Sequence, residues 1–299
     1  MLVGGRFNVW ALAIGLVCNS GCRIDFESKP RDANGSVDAT TDANGGPLIS
    51  RGALVRYFLD EAASGQAEPT VHDAITPALD LAMRYDTATE PLWIATATGR
   101  SLAFPTIELN GGACSPIVGT KVLSTLAASA TGSIEVVVDL TVGSGQGSRL
   151  LHIGADQRWG FSMGYSSEGG EPPLIWFGGS FASTPALTSI YRFWPVDLAT
   201  KGRTVLTIVY DASAANDTDR ARLYINGVFV AFDAFRSQGQ LVINDTIAID
   251  DTQYICIGNR FVGVLTPVGN ISYAAMYSSA LTATEVLANV TRLLTWDDR

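Results

Sequence analysis

The chain has little positive charge. Its 20 Lys and Arg stand against 29 Asp and Glu, a formal net charge of −9, and no basic run occurs along the 299 residues. Without a basic patch there is no electrostatic footprint for a phosphate backbone, which excludes nucleic acid as a partner. Histidine is scarcer still. His72 and His152 are the only two, and they form no H-x-x-x-H pair, which excludes the histidine-rich zinc sites of hydrolases. The uncharged apolar run at residues 7–17 is too short to cross a hydrocarbon core of about 30 Å. What the chain does have is 47% hydrophobic residues, 16% charged residues and 30 glycines. That composition describes a core-rich globular domain with many turns, and it excludes disorder over most of the length.

The amino terminus reads as an address. One positive charge in residues 1–6 precedes the apolar stretch FNVWALAIGLV, which fits a secretory signal. The small pair Ser20-Gly21 before Cys22 resembles the lipobox of bacterial lipoproteins. The resemblance implies that residues 1–21 are a removed signal peptide and that Cys22 is lipidated, anchoring the domain to a membrane outside the cytoplasm. Asn19 departs from that pattern, where Leu is usual, and ordinary secretion is the alternative. Residues 22–50 contain DANG twice, at 32–35 and 42–45, and few large apolar side chains. Such a segment cannot bury enough surface to offset its ordering entropy and is expected to be a disordered tether before a domain at 51–299. With Cys18 in the signal and Cys22 lipidated, Cys114 and Cys256 are the two remaining thiols in a compartment that permits disulfides. A bridge between them requires Cα atoms within about 7 Å.

From residue 51 the periodicity is that of strands. Ile134, Val136, Val138 and Leu140 alternate with Glu135, Val137 and Asp139. Trp159, Phe161, Met163 and Tyr165 alternate with Arg158, Gly160, Ser162 and Gly164, which places Trp159 in the core. Asn226-Gly227 between two alternating runs predicts a type I′ hairpin, making 204–233 a three-stranded meander. Thr282-Ala-Thr-Glu285 reads as a capping box opening a helix to about Leu294, and a second short helix is expected near 120–129. Short strands with Gly-rich turns over this length predict one all-β sandwich.

Several segments, in order, resemble the laminin-G-like, concanavalin A-like lectin/glucanase jelly rolls. They are Leu54-Val-Arg-Tyr-Phe-Leu-Asp-Glu61 with His72-Asp73, Ile208-Val-Tyr-Asp211, Arg222-Leu-Tyr-Ile-Asn-Gly227, Ile255-Cys-Ile-Gly-Asn259, Gly269-Asn-Ile-Ser-Tyr-Ala-Ala-Met-Tyr-Ser278 and Ala280-Leu-Thr-Ala-Thr-Glu-Val286. The resemblance covers most of residues 53–293. It implies two antiparallel sheets packed face to face, and a domain that binds glycans, binds proteins, or cleaves polysaccharides. Fold alone does not choose among these.

The chemical motifs narrow the choice. Glycosidases need carboxylates about 5 to 9.5 Å apart, whereas Glu135 and Asp139, four residues apart on one strand face, are separated by about 13 Å. They read as solvated or salt-bridged surface acids, and no catalytic residue is expected. Gly160-Phe-Ser162-Met-Gly164 matches a nucleophile elbow by letters, but Ser162 lies within an alternating strand and Gly169-Gly-Glu-Pro-Pro173 forbids the helix that must follow. The glycines read instead as places where a neighbouring backbone or a ligand approaches the sheet. Gly143-Ser-Gly-Gln-Gly147 is a loop, not a phosphate cradle. Asp217 with Asp219, and Asp245 with Asp250 and Asp251, are weak candidates for Ca2+, and no cofactor is expected. Trp176, Tyr191 and Trp194 lie in a Pro- and Gly-punctuated stretch that reads as loop and rim. Exposed rings there would stack on sugars, with Glu135, Asp139 and Arg158 as polar candidates; the alternative is that the rings cap the sandwich ends. The leading expectation is a non-catalytic surface lipoprotein whose lectin-like domain binds glycan or another cell-surface ligand. A divergent polysaccharide-cleaving enzyme and a purely structural or adhesive envelope module are the alternatives.

Overall fold

Alternating β-branched residues set the architecture. A computed structural model describes residues 47–66, 68–84, 91–106, 111–143, 147–155, 159–167, 172–183, 190–232, 244–261 and 265–295. The expected signal segment, Cys22, most of the expected tether and Arg158 lie outside the described residues. Among the described residues, sixteen strands form two eight-stranded antiparallel sheets. Sheet A runs in the order β14 (Val228–Val230), β13 (Ala221–Ile225), β12 (Thr204–Asp211), β7 (Thr131–Val142), β16 (Val268–Tyr277), β5 (Arg100–Phe104) and β4 (Leu92–Ala95), with β1 (Ala53–Tyr57) also paired to β16. Sheet B runs β11 (Ile190–Pro195), β10 (Leu174–Gly179), β9 (Trp159–Ser166), β8 (Ser148–Gly154), β15 (Tyr254–Ile257), β6 (Gly112–Pro116), β3 (Leu81–Arg84) and β2 (Thr70–Val71). Three helices complete the set: α1 (Lys121–Leu126), α2 (Asp217–Arg220) and α3 (Ala283–Thr295). No helix among the described residues is long and apolar enough to cross a membrane.

The chain is an all-β, jelly-roll-like two-sheet sandwich with one substantial helix at its carboxyl end. Ile134, Val136, Val138 and Leu140 face inward as their alternation requires, and meet Leu151, Ile153, Phe161, Met163, Tyr165, Ile175 and Phe177 of sheet B in one core. Asn226 and Gly227 take φ of 49° and 80°, the two positive angles that a type I′ turn needs, and close the β13–β14 hairpin. A single helical turn, α2, leads into β13.

Both faces of sheet A are apolar, so the outer one needs a cover. Val137, Val205, Val209, Tyr224, Tyr273, Ala275 and Tyr277 on that face pack against Leu281, Val286, Val290 and Leu293 of α3 and the segment leading into it. The capping box forms as expected: Glu285 N–H donates to Thr282 Oγ1 at 3.3 Å, and Thr282 N–H donates to Glu285 Oε2 at 2.8 Å. Arg51 adds an ion pair to Glu285 at 2.7 Å, tying the start of β1 to the start of α3.

Glu135 corrects the sequence reading. It shares a strand face with Asp139, but it is 0% exposed beneath α3, whereas Asp139 is exposed. The reason is that the face judged solvated is the one α3 covers. The carboxylate accepts hydrogen bonds from Thr207 Oγ1 at 3.2 Å, Tyr277 Oη at 3.2 Å and Asn289 Nδ2 at 2.9 Å. Burial pushes the Glu135 carboxyl up to about 7, opposed by those hydrogen bonds and by the charge of Arg56. The folded state therefore holds this proton more tightly than the unfolded chain does. Its contribution to stability is complete below the ordinary value of 4.5 and is lost as pH rises through about 7, a span of about 3 kcal/mol. In chemical denaturation, Glu135→Gln is expected to gain on the wild type as pH rises from 4.5 to 7.5. A difference that stays constant across that window would contradict the assignment.

Candidate functional site

Among the described residues the helices pack chiefly on sheet A: α3 on β12, α2 on β12 and β13, and α1 on β1. Cross-strand register fixes what the outer face of sheet B displays. Arg149 pairs with Gly164, Gly164 with Trp176, and Trp176 with Phe193; His152 pairs with Ser162, Ser162 with Gly178, and Gly178 with Tyr191. Residues directly opposite share a face, so Arg149, His152, Ser162, Trp176, Tyr191 and Phe193 project together.

Trp159 joins them, which corrects its placement in the core. Ile153 pairs with Phe161 but Gly154 pairs with Trp159, so Gly160 is an extra residue in β9. Such a bulge inverts the alternation beyond it. Phe161, Met163 and Tyr165 point into the core, while Trp159 turns outward onto the edge of Trp176 at 5.1 Å between ring centres, Tyr191 at 4.8 Å and His152 at 6.0 Å. Tyr191 in turn stacks on Phe193 at 5.8 Å. The space for these rings comes from missing side chains. A Cβ on Gly164 would lie 2.0 Å from Trp176 Cζ2 and 2.1 Å from the Ser148 carbonyl oxygen, so no other residue fits there. The approach expected at the in-strand glycines is made, at Gly164, by an indole.

A cation sits among the rings. The Arg149 guanidinium carbon is 3.6 Å from the centre of the Trp159 ring and 4.8 Å from that of Trp176, within cation–π range. Arg149 is 1% exposed, and among the described residues no carboxylate forms an ion pair with it. Burial pulls its pKa down to about 9; Tyr191 opposes this and the charge of Arg260 adds to it. Nη1 donates to the Gly147 carbonyl, whereas Nε has no partner. Trp176 Nε1 and His152 Nε2 are also buried without partners. His152 Nδ1 lies 2.7 Å from Ser162 Oγ. Burial, reinforced by Arg149 and Arg260, holds its pKa well below the ordinary value, so the imidazole is neutral.

The candidates read from sequence fall in three places. Trp176 and Tyr191 belong to this cluster, but in strands β10 and β11, not on loops, and Trp176 is 2% exposed. Trp194 pairs with Ile175 and points into the core at 1% exposure, so it is not a rim aromatic. The punctuation misled because Pro172-Pro173 ends before β10 begins, and Gly178-Gly179 lie within the strand. Glu135 and Asp139 belong to sheet A and take no part. Ser162 is in mid-strand, followed by β10 and not by a helix. Asp217 and Asp219 occupy the single turn α2; Asp245 accepts from the Ser183 and Thr246 amides, and Asp250 from Thr252. Among the described residues, no group of three or more His, Cys, Asp or Glu is placed to hold a metal ion. Cys114 and Cys256 are register partners on β6 and β15, with Cα atoms 4.2 Å apart, and form the disulfide. Sequence reasoning missed Arg149 and His152. Plain alternation gave no signal for the pair: three residues apart, they share a face only through the register shift between Arg149 and Leu151 in β8.

No protein-family model and no curated protein sequence matches the chain. Its fold is similar to that of domain 4 of AbnA, a GH43 extracellular arabinanase from Geobacillus stearothermophilus, solved in complex with arabinotriose. The TM-score is 0.50 at 15% identity, over 80% of this chain and 98% of that one. It is also similar to the botulinum neurotoxin serotype G binding domain, with a TM-score of 0.52 at 11% identity, over 80% and 50% of the two chains. The binding domain of Paraclostridial Mosquitocidal Protein 1 gives 0.51 at 10% identity, over 80% and 52%. The chain spans about half the length of the toxin domains it matches. At these identities the likeness establishes a shared fold.

Proposed function

We propose that this chain is a non-catalytic surface lipoprotein whose sandwich domain binds carbohydrate on the outer face of sheet B. The observation that carries the reading is the ring cluster. Trp159, Tyr191 and Phe193 are partly exposed on a sheet face that no described helix covers, with Arg149 and Trp176 buried beside them. Aromatic faces stack on the apolar faces of pyranoses. The fold shared with an arabinotriose-bound accessory domain and with toxin binding domains supports a binding role. Glu135 is sealed beneath α3 and Asp139 stands in solvent, so this pair is not offered to a glycosidic bond.

In the same reading residues 1–21 are removed, Cys22 carries lipid, residues 22–50 are a tether, and the domain from 51 onward works outside the cytoplasm. The Cys114–Cys256 bridge supports an oxidising compartment.

Two outcomes are expected. On a glycan array and then by titration calorimetry, Trp159→Ala loses about 30-fold in affinity for the best ligand, the scale of one hot-spot ring at about 2 kcal/mol, while Glu135→Gln binds as wild type. Equal affinity of Trp159→Ala and wild type would move the site elsewhere. In fractionated cells, Cys22→Ala shifts from the membrane to the soluble fraction. Unchanged retention would remove the lipid anchor from the reading.

A further inference from the structure

Arg149 is hard to account for as a structural residue. A guanidinium at 1% exposure carries a large desolvation cost, which proteins ordinarily offset with a carboxylate. Here the described surroundings are two indole faces, the Tyr191 phenol, which acts on it favourably, one backbone carbonyl, a neutral imidazole on the same strand and a second cation, Arg260, whose charge acts on it unfavourably. Its Nε–H points to no acceptor. The cation–π contacts return part of the cost and leave the charge uncompensated. Farther along the same face, a recess beside Cys114 is lined by Arg84, Asn259 and Arg260.

We propose that the outer face of sheet B recognises an acidic sugar: the partly exposed rings take the apolar face of the pyranose, and Arg149 takes its carboxylate or sulfate group. The inference rests on the carbohydrate-binding reading and sharpens it to one ligand class. An anion at Arg149 supplies the missing acceptor for Nε–H and the missing countercharge. A planar guanidinium suits both groups because it offers two parallel donors to two oxygens. The low dielectric around it makes that pairing stronger than it would be at the surface. A neutral sugar gains the stacking alone.

The test compares acidic oligosaccharides with their own neutral forms. Oligogalacturonate is set against its methyl ester, and a sulfated galactan oligosaccharide against the desulfated chain, by titration calorimetry on the full chain in detergent. Removal of charge from the same sugar is expected to cost about tenfold or more in affinity, the scale of one charge-assisted hydrogen bond. The preference is expected to weaken between low and high salt. The two pairs distinguish carboxylate from sulfate as the source of charge. Arg149→Gln is expected to bind acidic and neutral forms alike, Arg149→Lys to keep part of the preference, and Trp159→Ala to weaken both forms together. Neutral forms bound as tightly as acidic ones by the wild type would overturn the anion proposal and leave carbohydrate binding standing, and so would a preference that survives in Arg149→Gln. Failure of every sugar to bind the folded chain would overturn both.

Discussion

The outer face of sheet A is as apolar as its inner face, and the fold depends on keeping water off both. A half-buried antiparallel strand usually alternates apolar and polar residues, but β7, β12 and β16 put valines and tyrosines on the outer side as well. Helix α3 meets that need, and a buried polar network holds it in register: Asn289 donates both to Glu135 and to Tyr277, and accepts at Oδ1 from the Ile49 amide. One side chain of α3 thus joins β7, β16 and the segment before β1. A buried carboxylate costs more than it returns unless each lone pair is occupied, and here each oxygen of Glu135 has at least one donor.

With one outer face covered, the proposed ligand site falls on the other. Sheet B answers the same problem locally, with large rings laid over glycines, and the result is a face rich in aromatic surface and poor in paired polar atoms. Two kinds of buried cation show the difference between the faces. Arg56, under sheet A's cover, donates to the Ile49 carbonyl and lies among Tyr273, Tyr277 and the charge of Glu135. Arg149, on sheet B, has rings and no acid among the described residues.

How much of this was legible depended on whether the signal was local. The class, the hairpin at Asn226-Gly227, the capping box at Thr282 and the inward set on β7 follow from periods and turn chemistry within a few residues of each other. The partners of Cys114 and Glu135 are not local: Cys256 lies 142 residues away and Asn289 lies 154 away. Cysteine counting paired Cys114 with Cys256 because it excluded the others. Nothing in the neighbourhood of Glu135 announced a helix from the far end of the chain. Trp159 was misplaced for a narrower reason. Alternation was read correctly from Phe161 to Tyr165, but a bulge at Gly160 breaks the phase, and a glycine in a strand signals either a bulge or close approach without saying which. Trp176 and Trp194 lie on the adjacent strands β10 and β11, but Trp176 pairs with Phe193 and Trp194 with Ile175, so a single residue's parity sends them to opposite faces.

If the proposed lipid anchor holds the domain at its amino end, the disulfide has a mechanical meaning. Cys114 and Cys256, separated by 142 positions in sequence, close a covalent loop, and Arg149, His152, Trp159, Trp176, Tyr191 and Phe193 all fall inside it. A pull entering at β1 reaches β16 first, because those strands are paired, and can peel away the first strands and α3. It cannot draw out the loop, which removes roughly 500 Å of contour from the extensible length at about 3.5 Å per residue. Under tension, the part of the chain that gives way is the part that carries no ring of the proposed binding face.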